Sequence, residues 1–385
     1  MGQFDAVFSN EASRRTFLKG VGVLGASGVL AACRKSVDNS SAAGGDTSSA
    51  SLVPIEQEPG TLKAYEWAGY DTKWLFGDYT KAGYPDPKFS FFVNTEGALA
   101  KTAAGYDWDV THPENGYVQD YVTMGAIQPW DTSQIPNFAS LNPVLQAAGQ
   151  VDGKQYEIEL DWGYSAPLIR ADMIDPNLDS YSYLFTDEAQ GKISWFDTPW
   201  ILQMAAISQG MDPNHSFEMT STELEDITNY TIDVGKRNLY NIWVNYQDMW
   251  DDVQSGNVWT TYAWPDAYVA LKDKVEVKYV RPSTGTLAWV EGLVLRANTP
   301  NYHHAHAFAD AWAAPTVGEK LISTWGYGHS NLDVNLDKID PDVVEVFGLS
   351  DPETSLSPPL SYLDRFQSQR NEYNRAWNEV KASLG

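Results

Sequence analysis

Trp289 and Glu291 stand two apart in the run Leu287-Ala288-Trp289-Val290-Glu291-Gly292-Leu293, so on a strand both side chains project from one face. A carboxylate inside an apolar strand is costly to bury unless it faces a cleft or meets a cation. Aromatic residues and acids meet again at the ends of other strand-like runs: Trp264 with Asp266 after 258–264, and Phe196 with Asp197 after 192–196. Trp67 and Tyr70 close the run 61–67 in the same position. Taken singly, each pair fits a packed strand end or a turn. Brought together, they would form a box of indole and phenol faces with carboxylates between them, a chemistry that holds an ammonium. Each ring would contribute about 0.5–2 kcal/mol through cation–π attraction, and each carboxylate a charge-assisted hydrogen bond.

Signatures of catalysis are missing by comparison. There is no phosphate loop of the Gly-x-x-x-x-Gly-Lys type and no His-Glu-x-x-His helix, and the segment nearest to a nucleophile elbow, Gly163-Tyr164-Ser165-Ala166-Pro167, ends in proline where the elbow needs glycine. His303, His304 and His306 could offer imidazoles to a metal, which makes an exported metal-dependent hydrolase the alternative of another class; a histidine-rich helix start is the plainer reading. No catalytic residue, metal or cofactor is assigned.

The chain has 385 residues, long enough for two domains or one large α/β unit. Its 51 acidic residues against 26 basic ones give a net charge of -25, which disfavours nucleic acid and anionic membrane surfaces and attracts cations. The single cysteine rules out an intramolecular disulfide framework or a multi-cysteine metal site. With 15 Trp and 21 Tyr, the aromatic share of 13% exceeds what a core alone requires.

That cysteine lies in a leader. Ser13-Arg14-Arg15-Thr16-Phe17-Leu18-Lys19 is a twin-arginine export signature, followed by a short apolar run at 20–32 and the lipobox-like tetrapeptide Leu30-Ala31-Ala32-Cys33. The run is too short to span a bilayer, so it is expected to be cleaved, with Cys33 carrying a lipid. Gly20-x-Gly22-x-x-Gly25 formally matches a dinucleotide fingerprint, but no strand precedes it. Residues 34–51 are small and polar and suit a flexible tether.

Beyond the tether, the periodicity predicts strands over 61–67, 88–93, 108–111, 154–160, 166–170, 192–196, 258–264, 275–280 and 287–295. Helices are expected over 72–82, 97–104, 116–124, 200–209, 222–237 and 304–325, with a capping box at Thr222 and Glu225 and a long C-terminal helix over 361–383. This alternation argues for α/β architecture with mostly parallel sheets. No internal repeat and no linker is evident in 60–385, as expected if two lobes share strands that cross between them.

These residues resemble the spermidine/putrescine-binding proteins that serve ABC importers. Tyr65-Glu66-Trp67-Ala68-Gly69-Tyr70 is similar to the family's opening Tyr-x-Trp-x-x-Tyr. Tyr106-Asp107 with Pro113 to Val118 resembles its Tyr-Asp-x-x-x-Pro-Ser-x-x-Tyr-Val loop, and Gly125-Ala126-Ile127-Gln128-Pro129 its Gly-x-Ile-Gln-x segment. Asp161-Trp162-Gly163 resembles its crossing segment, Trp289 with Glu291 its Trp-x-Asp pair, and Trp325-Gly326-Tyr327 its Ile-Gly-Tyr turn.

The resemblance implies a two-lobed type II periplasmic-binding fold, with a signal peptide at 1–32, a tether at 33–51, lobe 1 over 52–160 plus 290–330, and lobe 2 over 161–289 plus 331–385. It implies a monomeric, lipid-anchored receptor on the periplasmic or extracellular face that captures a small cationic amine and hands it to a permease. A quaternary amine, peptide or sugar is the alternative solute. The implied ligand residues are Trp67, Tyr70, Glu114, Asp197, Trp264, Asp266, Trp289, Glu291 and Tyr327. Where the family carries a loop serine this chain has Glu114, Asp266 is an added acid, and Trp200 replaces an acid three residues after Asp197.

Overall fold

The computed structural model describes residues 57–365 and 368–385. The export signature, the lipobox ending in Cys33 and the tether lie outside them. Eight strands carry the architecture: β1 (Lys63–Trp67), β2 (Lys88–Phe92), β3 (Val110–Thr111), β4 (Glu157–Arg170), β5 (Ile193–Phe196), β6 (Leu239–Trp243), β7 (Thr260–Ala263) and β8 (Thr286–Arg296). They lie in one sheet in the order β2-β1-β3-β8-β4-β7-β5-β6.

β4 and β8 are the centre of this order. All 14 residues of β4 are buried, as are the first ten of β8; β8 reads as a near-continuous apolar run, whereas β4 carries Glu157, Glu159 and Asp161 into the interior. They pair antiparallel from Leu287 opposite Ser165 to Val294 opposite Glu157, with a bulge after Glu291. On one side of this pair β2, β1 and β3 run parallel, and on the other β7, β5 and β6 do. The expected parallel sheets are therefore two parallel wings joined through an antiparallel pair. β4 serves both, pairing with β8 and then, from Ala166 onward, with β7. The predicted strands 154–160 and 166–170 are one strand, because Asp161-Trp162-Gly163 continues the extended chain instead of turning it. One wing packs a core of Tyr65, Trp108, Tyr121, Val118 and Val294.

Other differences have local causes. The helix Ser221–Asn238 is capped by Thr220 and Glu223, two residues before the predicted box: Glu223 N donates to the Thr220 hydroxyl and Thr220 N to the Glu223 carboxylate at 2.8 Å. The predicted helix 304–325 is two helices, Tyr302–Trp312 and Pro315–Trp325, since Pro315 lacks the donor needed to continue the first. Ser361–Leu363 is a strand beside β8, and the last helix starts only at Arg370. Among the described residues, no helix is long and apolar enough to cross a membrane.

Candidate functional site

Four of the wing strands end on an aromatic residue: β1 on Trp67, β2 on Phe92, β5 on Phe196 and β6 on Trp243, while Trp264 directly follows β7. All five line a cavity of about 340 Å³ at the carboxyl ends of these strands, where open α/β sheets commonly place ligands. The rings pack into walls. Trp67 and Phe92 are 4.5 Å apart on one wing; on the other, Phe196 lies 4.6 Å from Trp243 and 4.7 Å from Trp264. The floor is made by Trp289 edge-on to Tyr327 at 4.9 Å, continued by Trp325 against Tyr70 at 4.9 Å.

Of the nine residues expected at a site, eight line this cavity: Trp67, Tyr70, Glu114, Trp264, Asp266, Trp289, Glu291 and Tyr327. Asp197 does not. Its carboxylate turns to the C-terminal helix, accepting from the Trp377 indole at 2.7 Å and pairing with Lys381 at 2.8 Å. Trp200 does line the cavity, as the first residue of the helix Trp200–Ser208. Sequence reasoning missed Phe92, Trp243, Tyr246, Trp250 and Tyr262. A signal for two of them exists: Phe92-Val93-Asn94 and Trp243-Val244-Asn245 are the same aromatic-Val-Asn triplet, each placing its Asn as the cap of the next helix and its Val exposed at the cavity mouth.

The electrostatics are one-sided. The cavity wall carries Glu96, Glu114, Asp266 and Glu291 and, among the described residues, no Lys, Arg or His. Burial pushes Asp266 up to about 7, and its Oδ1 has no hydrogen-bond partner. Glu291 is raised well above the usual carboxylate range by burial, against the pull of His112 and with the push of Asp161 and Glu114. Glu114, which forms a β-bridge with Glu291, is raised likewise by burial, Asp364 and Glu96, with Arg370 opposing. These carboxyls are desolvated and lack a counter-charge on the cavity side, so a cation entering would supply what they need.

Under the floor, His112 is fully buried between Glu66 and Asp161. His112, Asp161 and Glu291 each offer an atom within 4.8 Å of the others, the only such group among the described residues. The imidazole Nε2 is already engaged by Asp161 at 3.0 Å, while Nδ1 faces Glu66 at 3.2 Å outside hydrogen-bond geometry. The three histidines of the hydrolase alternative do not converge: His303 meets the Tyr84 hydroxyl, His304 the Tyr79 hydroxyl and the Glu58 carbonyl, and His306 the Tyr302 carbonyl and the Asp131 N–H.

The profile of the bacterial extracellular solute-binding proteins matches residues 94–345. The spermidine/putrescine-binding periplasmic protein of Escherichia coli is 26% identical over 280 residues, covering 71% of this chain and 78% of that protein. A solved structure described as a putative spermidine/putrescine ABC transporter from Listeria monocytogenes superposes with a TM-score of 0.72 at 18% identity, covering 83% of this chain and 98% of that one. A lipoprotein of Treponema pallidum gives 0.70 at 18% identity over 83% and 99%. The fold, with its two parallel wings joined by β4 and β8, is that of the two-lobed type II periplasmic-binding proteins. With both fold and sequence profile in agreement over most of its length, the chain belongs to the bacterial extracellular solute-binding protein family, whose members bind solutes and are not enzymes.

Proposed function

We propose that this protein captures a small cationic amine, of the putrescine or spermidine kind, in the aromatic and acidic cleft and delivers it to an ABC permease. One observation carries the reading: the cavity wall bears four carboxylates and many aromatic faces with no basic side chain among them. An ammonium would gain both cation–π attraction and charge-assisted hydrogen bonds there, whereas a carboxylate-bearing solute would meet only repulsion. The names of the curated relatives, spermidine/putrescine-binding and putrescine-binding proteins, point the same way.

The ligand contacts assigned are Trp67, Tyr70, Trp264, Trp289 and Tyr327 as ring faces and Glu114, Asp266 and Glu291 as counter-charges. We assign lobe 1 to 52–160 plus 290–330 and lobe 2 to 161–289 plus 331–385; the change of wing along β4, at Ala166, supports a crossing in this segment. Export by the twin-arginine route, with the mature chain tethered through lipidated Cys33, completes the reading; the signature at 13–19 and the tetrapeptide at 30–33 support it.

A thermal-shift screen against amines, sugars and peptides tests the function. A ligand present at a hundred times its dissociation constant stabilises the fold by about 2.7 kcal/mol, and only the amines should do so.

A further inference from the structure

His112 follows β3 and brings together acids from three strands. Its Nδ1 lies 3.2 Å from Glu66 of β1, its Nε2 3.0 Å from Asp161 of β4, and the same Nε2 is 3.9 Å from Glu291 of β8. The Tyr70 hydroxyl closes the far side of Asp161, donating at 2.6 Å, and the Trp312 ring packs against the imidazole at 4.7 Å. Glu157, farther along β4, also interacts with the ring.

Asp161 and Glu291 stand directly opposite each other in the antiparallel register, and after burial and the opposing pull of His112 the nearness of Asp161 is one of the causes that hold the Glu291 carboxyl above its usual range. His112 Nε2 is hydrogen-bonded to Asp161, whereas Nδ1 meets Glu66 at ion-pair distance outside hydrogen-bond geometry; only an imidazolium presents a positive charge and an N–H toward both carboxylates. Burial by itself would drive the proton off His112, but Asp161 and Glu66 raise its proton affinity well above the ordinary value. The ring is therefore a fixed positive charge under the floor, one side chain removed from the cavity through Glu291 and Tyr70.

We propose that His112 is a specificity-determining residue: its built-in imidazolium offsets part of the floor's negative charge and so tunes the cleft to amines with two charges in preference to three. The proposal rests on the amine reading above and deepens it. Ligand charges interact with this imidazolium in proportion to their number, so a triamine loses more than a diamine of similar contacts, and the dry, low-dielectric floor amplifies the difference. His112 does not touch the ligand. It acts through the potential at Glu291.

The test is calorimetric titration of the full chain with putrescine and spermidine, for the wild type, His112→Gln, and the double variant Glu66→Gln/His112→Gln. The wild type should bind putrescine more tightly. His112→Gln should shift the ratio of the two dissociation constants at least tenfold toward spermidine, a change that mere loosening of the fold would not produce. In the double variant one positive and one negative charge are removed together, so most of the shift should be reversed. Nitrogen NMR of the wild-type ring, which needs no variant, should find both His112 nitrogens protonated at pH 7.5. A neutral ring, or equal weakening for both amines in His112→Gln, overturns the proposal while the amine reading stands. Failure of the wild type to bind either amine overturns both.

Discussion

Gly163 lies opposite Trp289 in the β4–β8 register, and the indole occupies the space a side chain at 163 would fill. A Cβ there would come within 2.4 Å of Trp289 Cζ2. The glycine of Asp161-Trp162-Gly163 is thus what allows Trp289 to lie flat over β4 and present its ring to the cavity. Gly163→Ala should displace that ring, costing about 1–3 kcal/mol in overpacking, and should weaken ligand binding although residue 163 is no part of the cavity wall. Paired denaturation and calorimetric measurements check both effects.

Glu291 lines the cavity on the same strand face as Trp289. Replacing it with Gln removes one partner of a desolvated charge pair and should cost on the order of 2–4 kcal/mol of amine affinity. Trp67→Ala and Trp264→Ala, which remove a ring face and no charge, should cost less, about 0.5–2 kcal/mol each. A change below tenfold for Glu291→Gln, measured by calorimetry, would place that carboxylate outside the ligand's reach.

Proton linkage should be visible in both binding and stability. Asp266 is pushed up to about 7, and Glu291 and Glu114 lie well above the usual range, with burial the largest cause in each. An ammonium binds the charged carboxylate, so amine binding expels protons, and affinity should fall as pH drops through about 7, by up to roughly tenfold per unit for each proton released. For the empty protein the sign is the reverse of the common paired carboxylate. A carboxyl whose folded pKa is raised binds protons more tightly when folded, so its contribution favours low pH and is lost as pH rises from about 4 through 7. The melting-temperature gain on adding amine should therefore widen from pH 5.5 to pH 8.

Asp197 belongs to a different part of the molecule. It ties the end of β5 to the C-terminal helix through Trp377 and Lys381. Asp197→Asn should lower the unfolding free energy by about 1–2 kcal/mol and leave amine affinity within about twofold. A tenfold loss of affinity with unchanged stability would return Asp197 to the cleft.

How much of this could be read from residues alone depended on range. Trp67, Trp264, Trp289 and Glu291 were legible because each sits at a strand end or on one face of a strand, where period and punctuation fix direction within a few residues. Asp197 shows the same local pattern, yet its partners lie on a helix near the other end of the chain, and that packing turned its side chain away. β6 escaped notice because Leu239 follows the helix Ser221–Asn238 with no Gly or Pro between them, so nothing in the local sequence marks the change of period. His112 and Asp161 were hidden for another reason. Each stands among other polar residues, His112 between Thr111 and Pro113-Glu114 and Asp161 two after Glu159, and only the side-by-side placement of β1, β3, β4 and β8 reveals which of these charges meet.

The cleft is expected to bind short amines, with Trp200 supplying an apolar face of the cavity wall in place of an additional acid. An indole can stack on methylenes or on one ammonium, but it cannot neutralise a buried central charge. Calorimetric titration of the mature protein with putrescine, cadaverine and spermidine at pH 8 tests this most directly. Saturable binding of the two diamines, tighter than that of spermidine, is the expected result; spermidine binding tighter by tenfold or more, or no heat with any of the three, would contradict a cleft built for short amines.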